Sequence, residues 1–304
     1  TYSGGSWGSE VMLQASDKEA SDGFGCSVSM SGDGTRVIVG AYGEDTGGSG
    51  AGAAYIFALS GGSWSQEAKI QASDAQASDQ FGLTDVSMSS DGTRVLVGAR
   101  AEDTGGSDAG AAYIFAYSSG SWSQEAKIQA SDKQANDEFG QSASMSGDGA
   151  KVIVGARLED TGGSNTGKAY IYTYSSGSWG SEVMLQASDL QVEDYFGMSV
   201  SINSDGTKVI VGAFGEDTGG TTAGAAYIFA LSGGSWSQEA KIQSSDIEAG
   251  DNFGMRVSMS SDGTKVLVGA KYEDTGGSSA GAAYIFTYSS GSWSQEAKIQ
   301  ASDP

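Results

Sequence analysis

Residues 24–71 read FGCSVSMSGDGTRVIVGAYGEDTGGSGAGAAYIFALSGGSWSQEAKIQ. Residues 26–31 alternate small polar with apolar side chains, the pattern of a half-buried strand. Asp33-Gly34 follows, a dipeptide favoured in tight hairpins because both positions tolerate positive φ. The Val-Ile-Val run of residues 35–41 suits a strand covered on both faces. Residues 53–58 supply a third strand, and Gly61-Gly62 the next turn. In residues 64–71, Trp64, Gln66, Ala68 and Ile70 alternate with Ser65, Glu67 and Lys69, which predicts an edge strand with one charged face.

The same text recurs along the whole chain. Trp7, Trp64, Trp122, Trp179, Trp236 and Trp293 are separated by 57, 58, 57, 57 and 57 residues. The extra residue lies between Phe81 and Ser87 and reads as a β-bulge. A longer period is superimposed, since SWGSEVMLQASD begins at Ser6 and again at Ser178, and LSGGSWSQEAKIQ at Leu59 and again at Leu231. Four antiparallel strands every 57 residues match a propeller blade. The expected fold is all-β, a β-propeller of four-stranded blades, read as one repeat domain over residues 1–304. Its units run over 7–63, 64–121, 122–178, 179–235 and 236–292, with a surplus strand over 293–304. That surplus leaves part of a larger ring, or an open repeat array, as the alternative to a sealed ring of five. Beginning and ending within a unit, the chain reads as part of a longer polypeptide.

Composition narrows the partners. With 16 basic and 38 acidic residues, the net charge of −22 repels phosphate backbones and anionic lipid. Nucleic acid and direct membrane insertion are therefore not expected. Histidine is absent and Cys26 is the single cysteine, so neither an internal disulfide nor a Cys/His zinc site can form. Its counterparts Leu83, Gln141, Met198 and Met255 suggest that the Cys26 position asks for bulk in a core.

Phe24-Gly25, Phe81-Gly82, Phe139-Gly140, Phe196-Gly197 and Phe253-Gly254 precede the first strand of each unit, each with an Asp two residues earlier. Val-Gly-Ala closes the second strand at Ala41, Ala99, Ala156, Ala213 and Ala270. Over essentially its whole length the chain therefore resembles the FG-GAP repeat of integrin alpha-subunit heads and of secreted microbial proteins. The resemblance implies a propeller, an extracellular or cell-surface location, and a protein or glycan partner. Two departures stand out. Tyr42, Arg100, Arg157, Phe214 and Lys271 replace the family's proline after Val-Gly-Ala. The loop that holds calcium in many integrin blades is here only Gly-Asp-Gly or Ser-Asp-Gly, whose single carboxylate cannot supply six to eight oxygens.

The remaining carboxylates sort by strand topology. A four-stranded meander brings the loop between strands two and three to the same face as the connection between units. The loop carries Glu44-Asp45, Glu102-Asp103, Glu159-Asp160, Glu216-Asp217 and Glu273-Asp274. The connections carry Asp17 and Asp22, Asp74 and Asp79, Asp132 and Asp137, Asp189 and Asp194, Asp246 and Asp251. These 20 of the 38 acidic residues are candidates for a hard cation, with Ca2+ the cofactor such a cluster takes, or for an acidic docking face. Turn-making through Asx oxygens is the competing reading. Trp64, Trp122, Trp179 and Trp236 are candidates for stacking on a ligand such as a sugar, or for packing between blades.

Near-identical units offer no asymmetric acid, base and nucleophile, and without histidine no Ser-His or Cys-His pair exists. The sequence therefore points away from an enzyme and toward an extracellular structural or adhesive module, with self-assembly through edge strands as one outcome. The alternative is a calcium-dependent, lectin-like propeller.

Overall fold

In the computed structural model, which describes residues 2–3 and 5–301, the chain is built from strands and turns, with no helix among the described residues. Five four-stranded antiparallel blades follow one another, each beginning with its innermost strand, the fourth strand of blade three being broken into Ser178–Trp179 and Val183–Leu185. In blade one the strands are Val28–Met30, Arg36–Ala41, Ala53–Ser60 and Ser63–Ile70. The innermost strands of the other blades are Val86–Met88, Ser142–Met145, Ser199–Ile202 and Phe253–Met259, and consecutive blades pack inner strand against inner strand. Ser292–Ile299, the last Trp strand, is the outer strand of blade five. Ser6–Trp7 pairs instead with Tyr2–Ser3, outside the five blades.

The Val-Ile-Val strands are covered on both faces as their composition requires, with Ile38, Leu96, Ile153 and Ile210 fully buried. One apolar face of each blade meets the opposite face of the next. Ile38, Ile56 and Ile70 of blade one form a single core with Phe81, Val86 and Met88 of blade two. At the Asp33-Gly34 hairpin only Gly34 takes positive φ (69°), while the Asp33 side chain accepts from Ser31 and Thr35. The extra residue of blade two lands where the insertion predicted. Leu83 and Thr84 lie between Gly82 and Asp85, which both bond Gly98, whereas Cys26 alone separates Gly25 from Ser27 at Gly40.

Two local expectations need correction. The fourth strand is not a simple alternation, because a bulge at Glu67 shifts the register between Phe57↔Gln66 and Ile56↔Ala68. Trp64, Gln66 and Lys69 therefore share the face of Tyr55 and Phe57, while Ala68 and Ile70 take the other. Cys26 is exposed rather than a core filler, with its Sγ against the Gly82 carbonyl of the next blade, and its counterparts range from half-buried Leu83 and Met255 to buried Gln141 and Met198.

The junctions explain the Phe-Gly motif. Gly52, Gly110, Gly167 and Gly224 each form a parallel bridge to the phenylalanine of the next blade. Around the first bridge, Ser78, Gln80 and Phe81 donate their N–H groups to the carbonyls of Ser49, Gly50 and Ala51, and the later junctions repeat the pattern. Phe81, Phe139, Phe196 and Phe253 are fully buried behind these bonds, each edge-on or tilted against a tyrosine of its own blade's third strand.

Candidate functional site

The loop between strands two and three and the preceding connection do meet on one face. Their carboxylates converge on a lysine. Lys127, brought to that face by the bulge, bonds Asp74 of the connection at 2.7 Å and Glu102 of the loop at 2.8 Å. Tyr113 donates to the other Asp74 oxygen at 2.9 Å, and Gln129 donates to Glu102 Oε2 at 2.8 Å. Lys69 with Asp17 and Glu44, Lys241 with Asp189 and Glu216, and Lys298 with Asp246 and Glu273 repeat the arrangement.

Blade three shows that the cation is required rather than the residue that carries it. Its fourth strand has Met184 where the others have lysine, and Met184 is exposed. Lys168, at the first position of the third strand where the other blades have alanine, bonds Asp132 at 2.7 Å and Glu159 at 3.0 Å. One ammonium is thus supplied to the same two carboxylates from a different strand.

Electrostatics follow from this pairing. Burial opposes the charged form of Lys127, but its bonds to Asp74 and Glu102 outweigh that and raise its pKa. Burial likewise opposes the Asp74 carboxylate, and the Lys127 and Tyr113 hydrogen bonds hold it below its ordinary value. The aspartates two before Phe-Gly behave differently. Asp79, Asp137 and Asp194 are almost fully buried and accept one backbone N–H each, from Gln76, Gln134 and Gln191. Burial, reinforced by the neighbouring glutamates, pushes all three up to about 6. Asp22 and Asp251 make the same backbone cap, accepting from Glu19 and Glu248.

A stability profile follows. Because these three folded-state values lie above the ordinary 3.8, the folded state binds the protons more tightly. Stability should rise as pH falls through about 6, by on the order of 1–2 kcal/mol per carboxylate, and fall again well below 4 as the Asp74 series protonates. Thermal melts across pH 3 to 8 check this. A melting temperature flat from pH 8 to 5 contradicts it.

The aspartate of each Glu-Asp pair is exposed. Asp45, Asp103, Asp160 and Asp217 each accept one backbone N–H, from Gly50, Asp108, Asn165 and Thr222. Asp274 is also exposed. Among the described residues, no group of three or more carboxylates, histidines or cysteines is arranged to hold a metal ion.

The tryptophans sit between blades. Trp122 packs against the core shared by blades one and two and donates to Glu67 of blade one at 2.9 Å, while Trp179 donates to Glu125 at 3.0 Å. Trp236 packs against the equivalent core of blades three and four, whereas Trp64 packs only on blade one's own cluster, beside Leu13 and Ala15. Arg36, paired with Glu67 at 2.9 Å, stacks on Tyr117 of the next blade, 4.0 Å from its ring centre. The alternation of residues 64–71 gave no sign of this clamp, because the bulge that aims Glu67 is invisible in it. Trp122→Phe, which keeps the packing and loses the indole donor, should cost about 1 kcal/mol by denaturant unfolding. Unchanged stability contradicts the clamp.

A family model described as the FG-GAP repeat matches residues 7–57, 64–115, 122–172, 179–229 and 236–286. No curated protein matches the chain by sequence. Among solved structures, a protein of Bacteroides uniformis described as a candidate 6-phosphogluconolactonase shares 12% identity at a TM-score of 0.58, over 91% of this chain and 72% of that one. Hydrazine synthase of Kuenenia stuttgartiensis gives 11% and 0.56, over 94% and 69%. A periplasmic gluconolactonase of Pseudomonas aeruginosa gives 17% and 0.54, over 86% and 67%. Identities this low show the fold alone. They nevertheless overturn the expectation that the chain is not an enzyme, since two of these folds carry the names of lactonases. The lack of histidine excludes Ser-His and Cys-His pairs, but it does not exclude chemistry assembled from carboxylates and basic groups on the same scaffold.

Proposed function

The chain belongs to the FG-GAP repeat family, and from that premise we propose that it is a structural or adhesive repeat module, working outside the cell or on its surface through its acidic face. The observation that carries this reading is the charge left over at each blade. In each blade one ammonium bonds two of the four carboxylates, and Asp45, Asp103, Asp160, Asp217 and Asp274 stand exposed at the same loop position in successive blades. A rigid β-scaffold repeating one charge per blade favours partners with several basic groups, because weak contacts made together gain by effective concentration. Each contact alone is screened by salt, so the binding is ionic-strength dependent.

The test is retention of soluble poly-lysine by the immobilised protein across a salt series. The reading expects binding that weakens steeply with salt, and at least a roughly tenfold loss when all five exposed aspartates become asparagine. Equal retention by the variant, or binding indifferent to salt, sinks it.

A further inference from the structure

Consecutive blades meet at four junctions, and three of these carry the same clamp. Glu67 of blade one bonds Arg36 of its own blade at 2.9 Å and the Trp122 indole of blade two at 2.9 Å. Glu125 bonds Arg94 at 3.0 Å and Trp179 of blade three at 3.0 Å. Glu239 bonds Lys208 at 3.1 Å and Trp293 of blade five at 2.8 Å. In each case a tyrosine of the following blade covers the cation, with the ring centres of Tyr117, Tyr174 and Tyr288 at 4.0, 3.9 and 3.9 Å.

The junction between blades three and four lacks every part of this clamp. Lys151 and Trp236 stand at the matching positions, but neither the ammonium nor the indole N–H has a hydrogen-bond or ion-pair partner among the described residues. Leu231 replaces the tyrosine, so the cation has no aromatic face.

The cause lies two residues beyond Trp179. In the other blades a glutamine at that place, Gln66, Gln124, Gln238 or Gln295, accepts the N–H of Ser16, Ser73, Ser188 or Ser245 in the connection leading into its blade. Blade three has Ser181 there, too short to span that gap, and Glu182 accepts the Ser131 N–H instead, at 3.3 Å. Glu182 is the counterpart of Glu67, Glu125 and Glu239. Two tasks that other blades divide between a glutamine and a glutamate thus fall on one side chain, and the carboxylate faces blade two instead of blade four. The fourth strand is interrupted at the same place, so the bulge that aims Glu67 outward does not form.

The fastenings that remain at this junction lie away from the clamp. Gly167 still bridges to Phe196, Ser188 still bonds Gln238, and Gly147 donates to the Ser204 carbonyl between the inner hairpins at 2.8 Å. Ile153 and Ile171 of blade three share a core with Val200 and Val211 of blade four. What is unfastened is the outer corner, since Lys151 pairs with Thr173 just before the Ser175 to Ser178 turn.

We propose that the junction between blades three and four is a hinge. Its outer corners part and close while the inner strands and the Gly167–Phe196 bridge serve as the pivot, so the array moves as a clamped body of three blades joined to a clamped body of two. Each blade stays rigid, and the freedom comes from one missing clamp between them.

Ser118, Ser175, Ser232 and Ser289 end the third strands of blades two to five and are exposed. Spin labels on cysteines substituted at 118/175, 175/232 and 232/289, in a Cys26→Ser background, report one junction each by double electron–electron resonance. The 175/232 distance distribution should be the broadest, by about twofold or more, because only that junction opens. Gly180→Ser combined with Ser181→Gln writes the SWSQE text of the other blades into blade three and releases Glu182 to Lys151 and Trp236. One recovered hydrogen bond to a charged group favours the closed junction by roughly tenfold, so the 175/232 distribution should narrow to match the other two. Gln124→Ser is the reciprocal change, drawing Glu125 to the Ser73 N–H and broadening the 118/175 distribution. Three distributions of equal width in the otherwise wild-type protein overturn the hinge. So does a 175/232 pair that stays broad after Gly180→Ser with Ser181→Gln, or a 118/175 pair unmoved by Gln124→Ser.

Discussion

Lys168→Ala should lower the unfolding free energy by about 3–5 kcal/mol, because it strips the cation from a buried carboxylate and leaves the charge uncompensated. Glu159 is fully buried, and its Oε2 already lacks a hydrogen-bond partner, so no other group is in position to replace the ammonium. Blade three also supplies the rescue. Adding Met184→Lys puts a lysine where blades one, two, four and five have theirs, and the double variant should recover most of the loss. Urea unfolding of the two single variants and the double variant reads this directly. A Lys168→Ala variant within 1 kcal/mol of wild type contradicts the pairing account, as does a double variant no better than Lys168→Ala.

Gly110→Ala is expected to be at least as damaging. Gly110 sits at φ +84°, and a Cβ there would lie 2.1 Å from the Phe139 carbonyl oxygen, inside the bridge joining blades two and three. Backbone cannot retreat from backbone cheaply, so the junction should open and cost about 4 kcal/mol or more. Gly281 is the control, since it has a similar φ of +76° but its nearest neighbour is Lys271 O at 3.1 Å, with no following blade against it. Gly281→Ala should cost only the left-handed strain, about 1–2 kcal/mol. Equal losses at the two positions would mean that the Phe-Gly bridge contributes nothing beyond local conformation.

Much of this architecture is legible in residues 24–71 and their recurrence along the chain. The Val-Ile-Val strand, the two glycine turns and the Trp spacing name four strands per unit, because local chemistry sets them. The grouping of Glu44 with Asp17 on one face was also legible, since meander topology follows from strand count. What fills that face was not. Read by alternation, Lys69 belongs with Ser65 and Glu67, and only the bulge at Glu67 carries it over to Asp17 and Glu44. A bulge inside an unbroken strand sequence leaves no residue-level mark, so the carboxylates looked uncompensated. The tryptophans were ambiguous for a similar reason. Their Glu67 and Glu125 acceptors lie 55 and 54 residues away, on another blade. Cys26 misled because the bulk of its counterparts was read as burial, whereas Leu83 and Met255 are themselves only half-buried.

Amide hydrogen exchange resolved to single residues in dilute, monomeric protein tests the central claim most directly. That claim is that Phe-Gly connections join consecutive blades as added strands and that the fifth-to-first junction is open. The donors Ser78, Gln80 and Phe81, and likewise Asn136, Glu138 and Phe139, should exchange slowly. Ser21, Gly23 and Phe24 should exchange at rates near those of exposed loops. Slow exchange at Ser21, Gly23 and Phe24 in the monomer would mean that the chain closes on itself, and fast exchange at Phe81 and Phe139 would mean that the blades are not joined in this way.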